Sequence, residues 1–398
     1  MRKNNTSQNR YSGQLAASIL IMIFSSTSAF GGAREQAAQL FNRINSVPPS
    51  AVMLDAMTAK ILAGDVRGAA LDAVNDPNGM FYNLTLKDAV SRWTNKDSTP
   101  RIDLNDYTAT VIGMVRDDIL FNTALSADLV YIADVAKAPG VPAYSLSNNA
   151  HYKFLETSGA NLKNVLTPIK QSVATTTLPT DATAGLMTTR GFAAGFIKAG
   201  TNRAAAAFTF ATFLCNDMNK LADTTRPDFH VRRDVTRVPG GDSAVFRNKC
   251  AGCHAGMDAL AGAFAYYDVV PGATAANDAL VYTPGTVVAK MNRNTDQFPD
   301  GYVTTDDSWT NNWLVGQNAA IGWKGASSGV GAKSFGSMLT ATDAFGTCMA
   351  QRAMQVMCLH QPTTASELAG VTKIAANFVK DFNLKNAFVD AAVTCTTP

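Results

Sequence analysis

Residues 250–254 read Cys-Ala-Gly-Cys-His, and no other stretch of the chain restricts its structure so tightly. Two thiols three positions apart, followed at once by a histidine, share a single turn of helix. That spacing is the attachment signature of c-type haem. Cys250 and Cys253 can reach the two vinyl groups along one edge of a porphyrin. His254 then projects beneath the ring and offers a nitrogen to the iron. Ala251 and Gly252, between the thiols, put no bulk against the ring. The motif occurs once, so one covalently attached haem is expected. Two blander chemistries share a Cys-x-x-Cys: a redox dithiol and half a zinc site. Zinc would need a second ligand pair, but the next cysteine is Cys348 and the next histidine His360. A thioredoxin-like dithiol would follow a strand in a βαβ pattern, and none precedes Cys250.

The start of the chain agrees with a haem attached outside the cytoplasm. Arg2, Lys3 and Arg10 form a basic region, Leu15 to Phe24 an apolar run, and Thr27 and Ala29 a small-residue cleavage site. Gly31 and Ala33 would also serve. The apolar run is shorter than the roughly 20 residues of a membrane span. We therefore expect a signal peptide over 1–29, a bacterial periplasmic or secreted product, and no membrane span after cleavage. Six cysteines suit an oxidising compartment. With two used by haem, Cys215, Cys348, Cys358 and Cys395 remain, an even number with three pairings. Cys348 and Cys358 fall on one helix running from Asp343 to about His360, and ten residues of helix separate them by about 15 Å, too far for a bridge. Two further helices follow, near 366–380 and 384–394. If neighbours pack antiparallel, the third ends beside the end of the first. This predicts Cys358–Cys395 and, by elimination, Cys215–Cys348.

Hydrophobic residues make up 46% of the 398 and charged residues 16%, enough apolar surface for a sizeable core. The net charge is only +3 with no basic stripe, so nucleic acid is not a partner. The pattern reads as all-α, mainly helical, with long loops around the haem site. An N-terminal helical region spans 30–180, a haem c region 181–300 and a C-terminal helical region 301–398. Ala37, Leu40, Phe41 and Ile44 repeat at helical spacing within a helix from Ala33, which Pro48 and Pro49 stop. Ser50 caps a second helix over 51–62. Helices are also predicted over 106–121, 128–136 and 191–218. Loops are expected over 175–183 and 325–336. The stretch 266–299 reads as a long loop with a short strand pair, and Asp306-Asp307 as a turn opening a capped helix.

Around the motif a longer series of segments stands in order: Gly185-Leu-Met-Thr-Thr-Arg190, Gly200-Thr-Asn-Arg203, Leu214-Cys215, Arg232-Arg-Asp-Val-Thr-Arg237, Cys250 to Asp258, and Ala263-Phe-Ala-Tyr-Tyr-Asp268. Over about residues 180 to 395 this resembles the planctomycete-type cytochrome c group of bacterial domains, with a C-terminal helical domain after the haem region. The chain departs from that pattern at Asp258-Ala259, where many members have Asp-Pro, and in a shorter, Pro-poor segment after Cys215. The resemblance implies a periplasmic haem protein and brings no settled reaction.

The sixth iron ligand decides what such a haem does: a Met or His makes an electron carrier, whereas an open position permits ligand or peroxide chemistry. Met291, 37 residues after His254 in a loop, is the first choice. His230 is its chief rival and Met187 a further option. His151 and His360 read as core or surface histidines, and Met257 as a packing residue on the proximal side. Arg232, Arg233 and Arg237 offer guanidinium partners for the haem propionates, or else a solvated face paired with Asp228 and Asp234. Asp258 and Asp268 flank a short apolar helix, as helix caps or as a hydrogen-bond partner for His254. The expected function is single-electron transfer with a redox partner protein. The alternatives are a peroxidase-like haem oxidoreductase with an open distal site, and a haem-stabilised binding or assembly protein.

Overall fold

The computed structural model describes residues 32–396. The signal-peptide reading therefore lies outside the described residues. Helix accounts for 55% and strand for 7%, so the mainly-α class holds. The helices of eight residues or more are α1 (Ala33–Asn45), α2 (Ala51–Leu62), α3 (Val66–Val74), α4 (Asp106–Arg116), α5 (Ala150–Thr157), α6 (Arg203–Phe213), α7 (Ala251–Ala261), α8 (Gly331–Thr340), α9 (Asp343–Cys358), α10 (Ala365–Asp381) and α11 (Leu384–Thr396). Among the described residues no helix is long and apolar enough to cross a membrane.

The two ends of the chain meet. α1 buries Ala37, Leu40, Phe41 and Ile44, the predicted stripe, and with α3 packs on α11. Ser50 caps α2 by accepting from Met53 N at 3.2 Å. α9, α10 and α11 pack on one another, and α10 opens with a reciprocal cap between Thr364 and Glu367. Cys358 and Cys395 join the ends of α9 and α11, with Cα atoms 5.2 Å apart. Cys215, just past α6, joins Cys348 inside α9 at 5.3 Å. These are the two pairs that the helix argument predicted. One apolar core runs from Ala37 to Ala392 through all three regions of the sequence. Two small satellites lie outside it: Val231, Phe246 and Ala251 in one, Ala265, Val288 and Met291 in the other.

Four local expectations change. The stretch 128–136 holds a strand, β1 (Val130–Ala133), which pairs antiparallel with β2 (Leu166–Ile169), Val130 opposite Ile169. Its β-branched and aromatic residues outweigh a short helical pattern once a partner strand is supplied. The helix predicted over 191–218 is interrupted: Gly200 and Asn202 both have left-handed φ, and α6 begins only at Arg203. The Asp306-Asp307 turn opens a strand, not a helix. Asp306 accepts from Ser308 N, and β5 (Ser308–Thr310) pairs with β6 (Ser328–Val330). The glycine-rich 325–336 then continues into α8, because Gly336 lets the helix press against the Leu125 carbonyl where any Cβ would collide. The hairpin expected near 266–299 is β3 (Tyr267–Val270) with β4 (Ala279–Tyr282), Tyr267 opposite Tyr282.

Candidate functional site

The motif sits at the start of α7, entered by a wide turn over Phe246–Cys250. Its exposure pattern is sharply one-sided. Ala251, Gly252, Ala255, Gly256, Asp258 and Ala259 are buried, while Cys250, Cys253, His254 and Met257 are partly exposed. The open positions are spaced 3, 1 and 3, one stripe along a helix. Both thiols and the imidazole therefore share the outward face.

The protein occupies the other faces. The Trp313 ring lies directly on Gly256, leaving no room for a Cβ. Asn312 Nδ2 donates to Ala255 O at 2.8 Å. Asp223 N donates to Gly252 O at 3.1 Å, and the 222–224 loop approaches the bare Gly252 Cα. Gly252 thus makes way for the chain's own backbone, not for a ring as its place between the thiols suggested.

Cys250 and Cys253 are the two free cysteines of the described residues. Cys253 Sγ lies 3.3 Å from Met218 O. Burial, followed by the nearby Cys250 and Asp217, pushes the Cys253 thiol up. An activated redox dithiol needs the opposite shift. Among the described residues no group of three or more His, Cys, Asp or Glu is arranged to hold a metal ion, so a zinc reading lacks its remaining ligands.

One helical turn on from His254 stands Asp258, whose side chain is fully buried. Its Oδ1 lies 3.1 Å from His254 Nδ1. Arg203 grips the same carboxylate at 2.6 and 2.8 Å and, with its other edge, Asp234 at 2.6 Å twice. The Arg232 amide adds a bond at 3.1 Å. Burial works to raise the Asp258 pKa. The Arg203 and then the His254 hydrogen bonds outweigh it and hold the carboxyl well below the usual range. An ionised Asp258 accepts only, so Nδ1 carries the proton and the Nε2 lone pair is free. Asp258 lies inside α7, so the partner reading holds and the capping one does not. Asp268, in β3, pairs instead with Lys290 at 2.5 Å.

Three adjacent residues at the start of α6 build this support. Thr201 Oγ1 accepts from Arg203 at 2.7 Å. Asn202, in the left-handed region at φ 59°, donates to Phe264 O at 2.8 Å and Tyr267 O at 2.9 Å, just past α7. The sequence alone assigns Arg203 no role beyond its place in the Gly200-Thr-Asn-Arg203 segment. Asp234, the alternative partner for the local arginines, pairs instead with Arg203, 31 residues away.

The three arginines of 232–237 separate in the structure. Arg233 donates to Gly301 O at 3.2 Å. Arg237 bonds Val235 O and Val231 O and lies over the Phe246 ring at 4.8 Å. Arg232 differs: it is 1% exposed, and Nη1 donates to Thr201 O at 2.6 Å, but Nε and Nη2 have no partner. Burial pushes its pKa down to about 10, despite Asp258 nearby. Buried donors without acceptors are costly, and a guanidinium in this condition suits an anion. Two thiols and an imidazole nitrogen on one outward face are a donor set that fits haem c.

The other candidates are placed as follows. Met291 is fully buried in the satellite with Ala265 and Val288, whereas Cys250 belongs to the other satellite. The His230 ring packs between Phe229 at 4.1 Å and Tyr302 at 4.5 Å. With Asp258 and Thr304 it lines a cavity of about 180 Å³. That volume is below the roughly 300–1,000 Å³ of ordinary ligand sites. Burial lowers the His230 pKa. Met187 lies fully inside the main core, and Met257 packs against its edge. His151 spends both nitrogens on backbone, with Ala133 N at 2.9 Å and Pro142 O at 2.7 Å. His360 pairs with Glu367 at the surface. Compared with family models, curated proteins and solved structures, the chain matches none.

Proposed function

We propose that the chain is an exported monohaem c-type cytochrome that passes single electrons to or from a partner protein. The observation carrying this reading is the outward stripe of α7: two unpaired thiols beside an imidazole whose Nδ1 is pinned by a buried carboxylate. Cys250 and Cys253 would hold the group through thioether bonds, and His254 Nε2 would hold its iron. Once bound, the group supplies one-electron redox chemistry. Asp258 retains the proton on Nδ1 and makes the imidazole a stronger donor. Arg203 and Asp234 fix Asp258 in place, so the imidazole cannot rotate freely. Arg232 keeps two unspent donors that would suit a carboxylate. The segment likeness to planctomycete-type cytochromes and the signal-like N-terminus support the same reading.

A second reading, a haem oxidoreductase with an open distal position, is favoured by one placement. Met291 packs in a different satellite from Cys250, and its Asn292 neighbour is tied to Thr304 by two bonds of 2.8 Å. Ligation by Met291 would require that turn to move.

The test is expression with the native leader in a bacterium that matures c-type cytochromes. One haem per chain should survive acidic organic extraction, and Cys250→Ala with Cys253→Ala should abolish it. A mature protein without covalent haem, or with a Cys250–Cys253 disulfide, would overturn the proposal. A long-wavelength sulfur-to-iron band in the oxidised spectrum would favour the carrier. A high-spin spectrum that shifts with cyanide would favour the open site.

A further inference from the structure

Away from the motif, a groove of about 760 Å³ lies between the end of α1, the segment 84–98, the far end of α6 and the C-terminal end of α9. No residue of 217–310 lines it. Its size is within the range of small-molecule sites. Three arginines and one aspartate contribute to its walls. Arg92 and Asp88 pair with each other at 3.3 Å, so that charge is met. Arg43 and Arg352 remain. Arg43 is partly buried and makes no hydrogen bond or ion pair among the described residues. Arg352 donates Nη2 to Ala211 O at 2.8 Å, while its Nε is buried without a partner. Glu367 lies in an adjoining cavity, but it is engaged by the Thr363 and Thr364 amides at 2.9 Å and by His360 at 3.3 Å. Two guanidiniums therefore face one groove with no carboxylate of their own.

The remaining wall is mixed: Ser46, Asn95, Gln355 and His360 are polar, while Trp93, Phe208, Val356 and Leu359 form its apolar part. Phe208 is anchored by stacking on Phe196 at 4.9 Å. Leu359 caps α9 in the left-handed region at φ 64° and leaves its side chain 75% exposed at the rim. A bulky residue in that conformation is rare, and such strain collects at ligand clamps. A guanidinium matches a carboxylate by forked hydrogen bonds. We propose that this groove binds a small organic carboxylate with an apolar body, its head held by Arg43 and Arg352 and its body against Phe208 and Leu359.

Isothermal titration of the mature full-length protein tests this with 4-phenylbutyrate and decanoate as probes. The neutral 4-phenylbutanol and inorganic phosphate are the controls. At least one acid should bind, with the alcohol and phosphate each weaker by about tenfold or more. Whichever acid binds better tells whether the natural ligand is an aromatic or an acyl acid. Arg43→Gln and Arg352→Gln should each weaken binding by about tenfold, with unchanged circular dichroism. Arg43 has no partner to lose, so that variant keeps the test sound if Arg352→Gln folds poorly. The proposal fails if neither acid binds more tightly than about 1 mM, if the alcohol or phosphate matches the acids, or if Arg43→Gln binds unchanged.

Discussion

The α9–α11 layer and the surroundings of α7 are held together by different forces. In the first, apolar faces dominate: α9 buries Phe345, Met349, Ala353 and Met357, α10 buries Val371, Ile374 and Phe378, and the Phe345 and Phe378 rings meet at 5.8 Å. Such packing is non-directional and tolerates small rearrangement. Around α7 the critical contacts are Asp258 with Arg203, Asp234 with Arg203, and His254 with Asp258, all directional and mostly buried. The first arrangement provides stability. The second provides orientation, at the cost of desolvating two carboxylates and a guanidinium.

Several substitutions bear on that contrast. The largest loss should follow Cys215→Ala with Cys348→Ala, which opens a link between residues 133 apart. Up to about 5 kcal/mol is expected in denaturant unfolding. Opening Cys358–Cys395, 37 residues apart, should cost about 1 kcal/mol less by chain entropy. Equal losses would mean that neither layer gains from its span. Next, Arg203→Met strands two buried carboxylates and should cost about 3–5 kcal/mol. A loss under about 1 kcal/mol would show that the network orients without bearing load.

The same variant should alter acid stability. The folded Asp258 pKa is depressed, so its contribution is full above the unfolded value of about 3.9 and is lost as pH falls toward the folded value. Wild type should weaken steadily below about pH 4, and Arg203→Met should flatten that limb. For the haem-loaded protein, Asp258→Asn weakens the acceptor on Nδ1 and makes the imidazole a poorer donor. The midpoint potential should rise in a redox titration, and an unchanged potential would remove Asp258 from the tuning role. The smallest effect on folding is expected from Met291→Leu, within about 1.5 kcal/mol. Its spectrum is the sharper readout: loss of the long-wavelength band would make Met291 the ligand.

The two regions also differed in how far the sequence revealed them. α9 to α11 were legible because apolar residues recur at helical spacing, and the disulfides followed from helix length and direction. β1 was not, since its partner β2 lies some 35 residues on and pairing leaves no local mark. α8 was hidden by its own glycines, one of which exists to fit against Leu125. At the motif, Cys250, Cys253 and His254 were plain. Arg203 and Asp234 were not, because a buried ion pair between residues 31 apart looks from sequence like two surface charges. A polar Thr-Asn-Arg immediately before the apolar run of α6 was the available signal: three hydrogen-bonding side chains at the mouth of a buried helix need partners.

Gly252 and Gly256, four residues apart, give one face of α7 to the protein itself, so any group joined to the open stripe is added at the edge of a packed helix. That places a constraint on timing. As the chain emerges, Cys250 and Cys253 become available to Cys215 before Cys348 has been made. If the chain is exported as proposed, the first disulfide open to Cys215 is a wrong one, and it would consume a motif thiol. Maturation of such an exported chain would then depend on a race: either the motif thiols are protected or used early, or an isomerase returns Cys215 to await a partner 133 residues behind it.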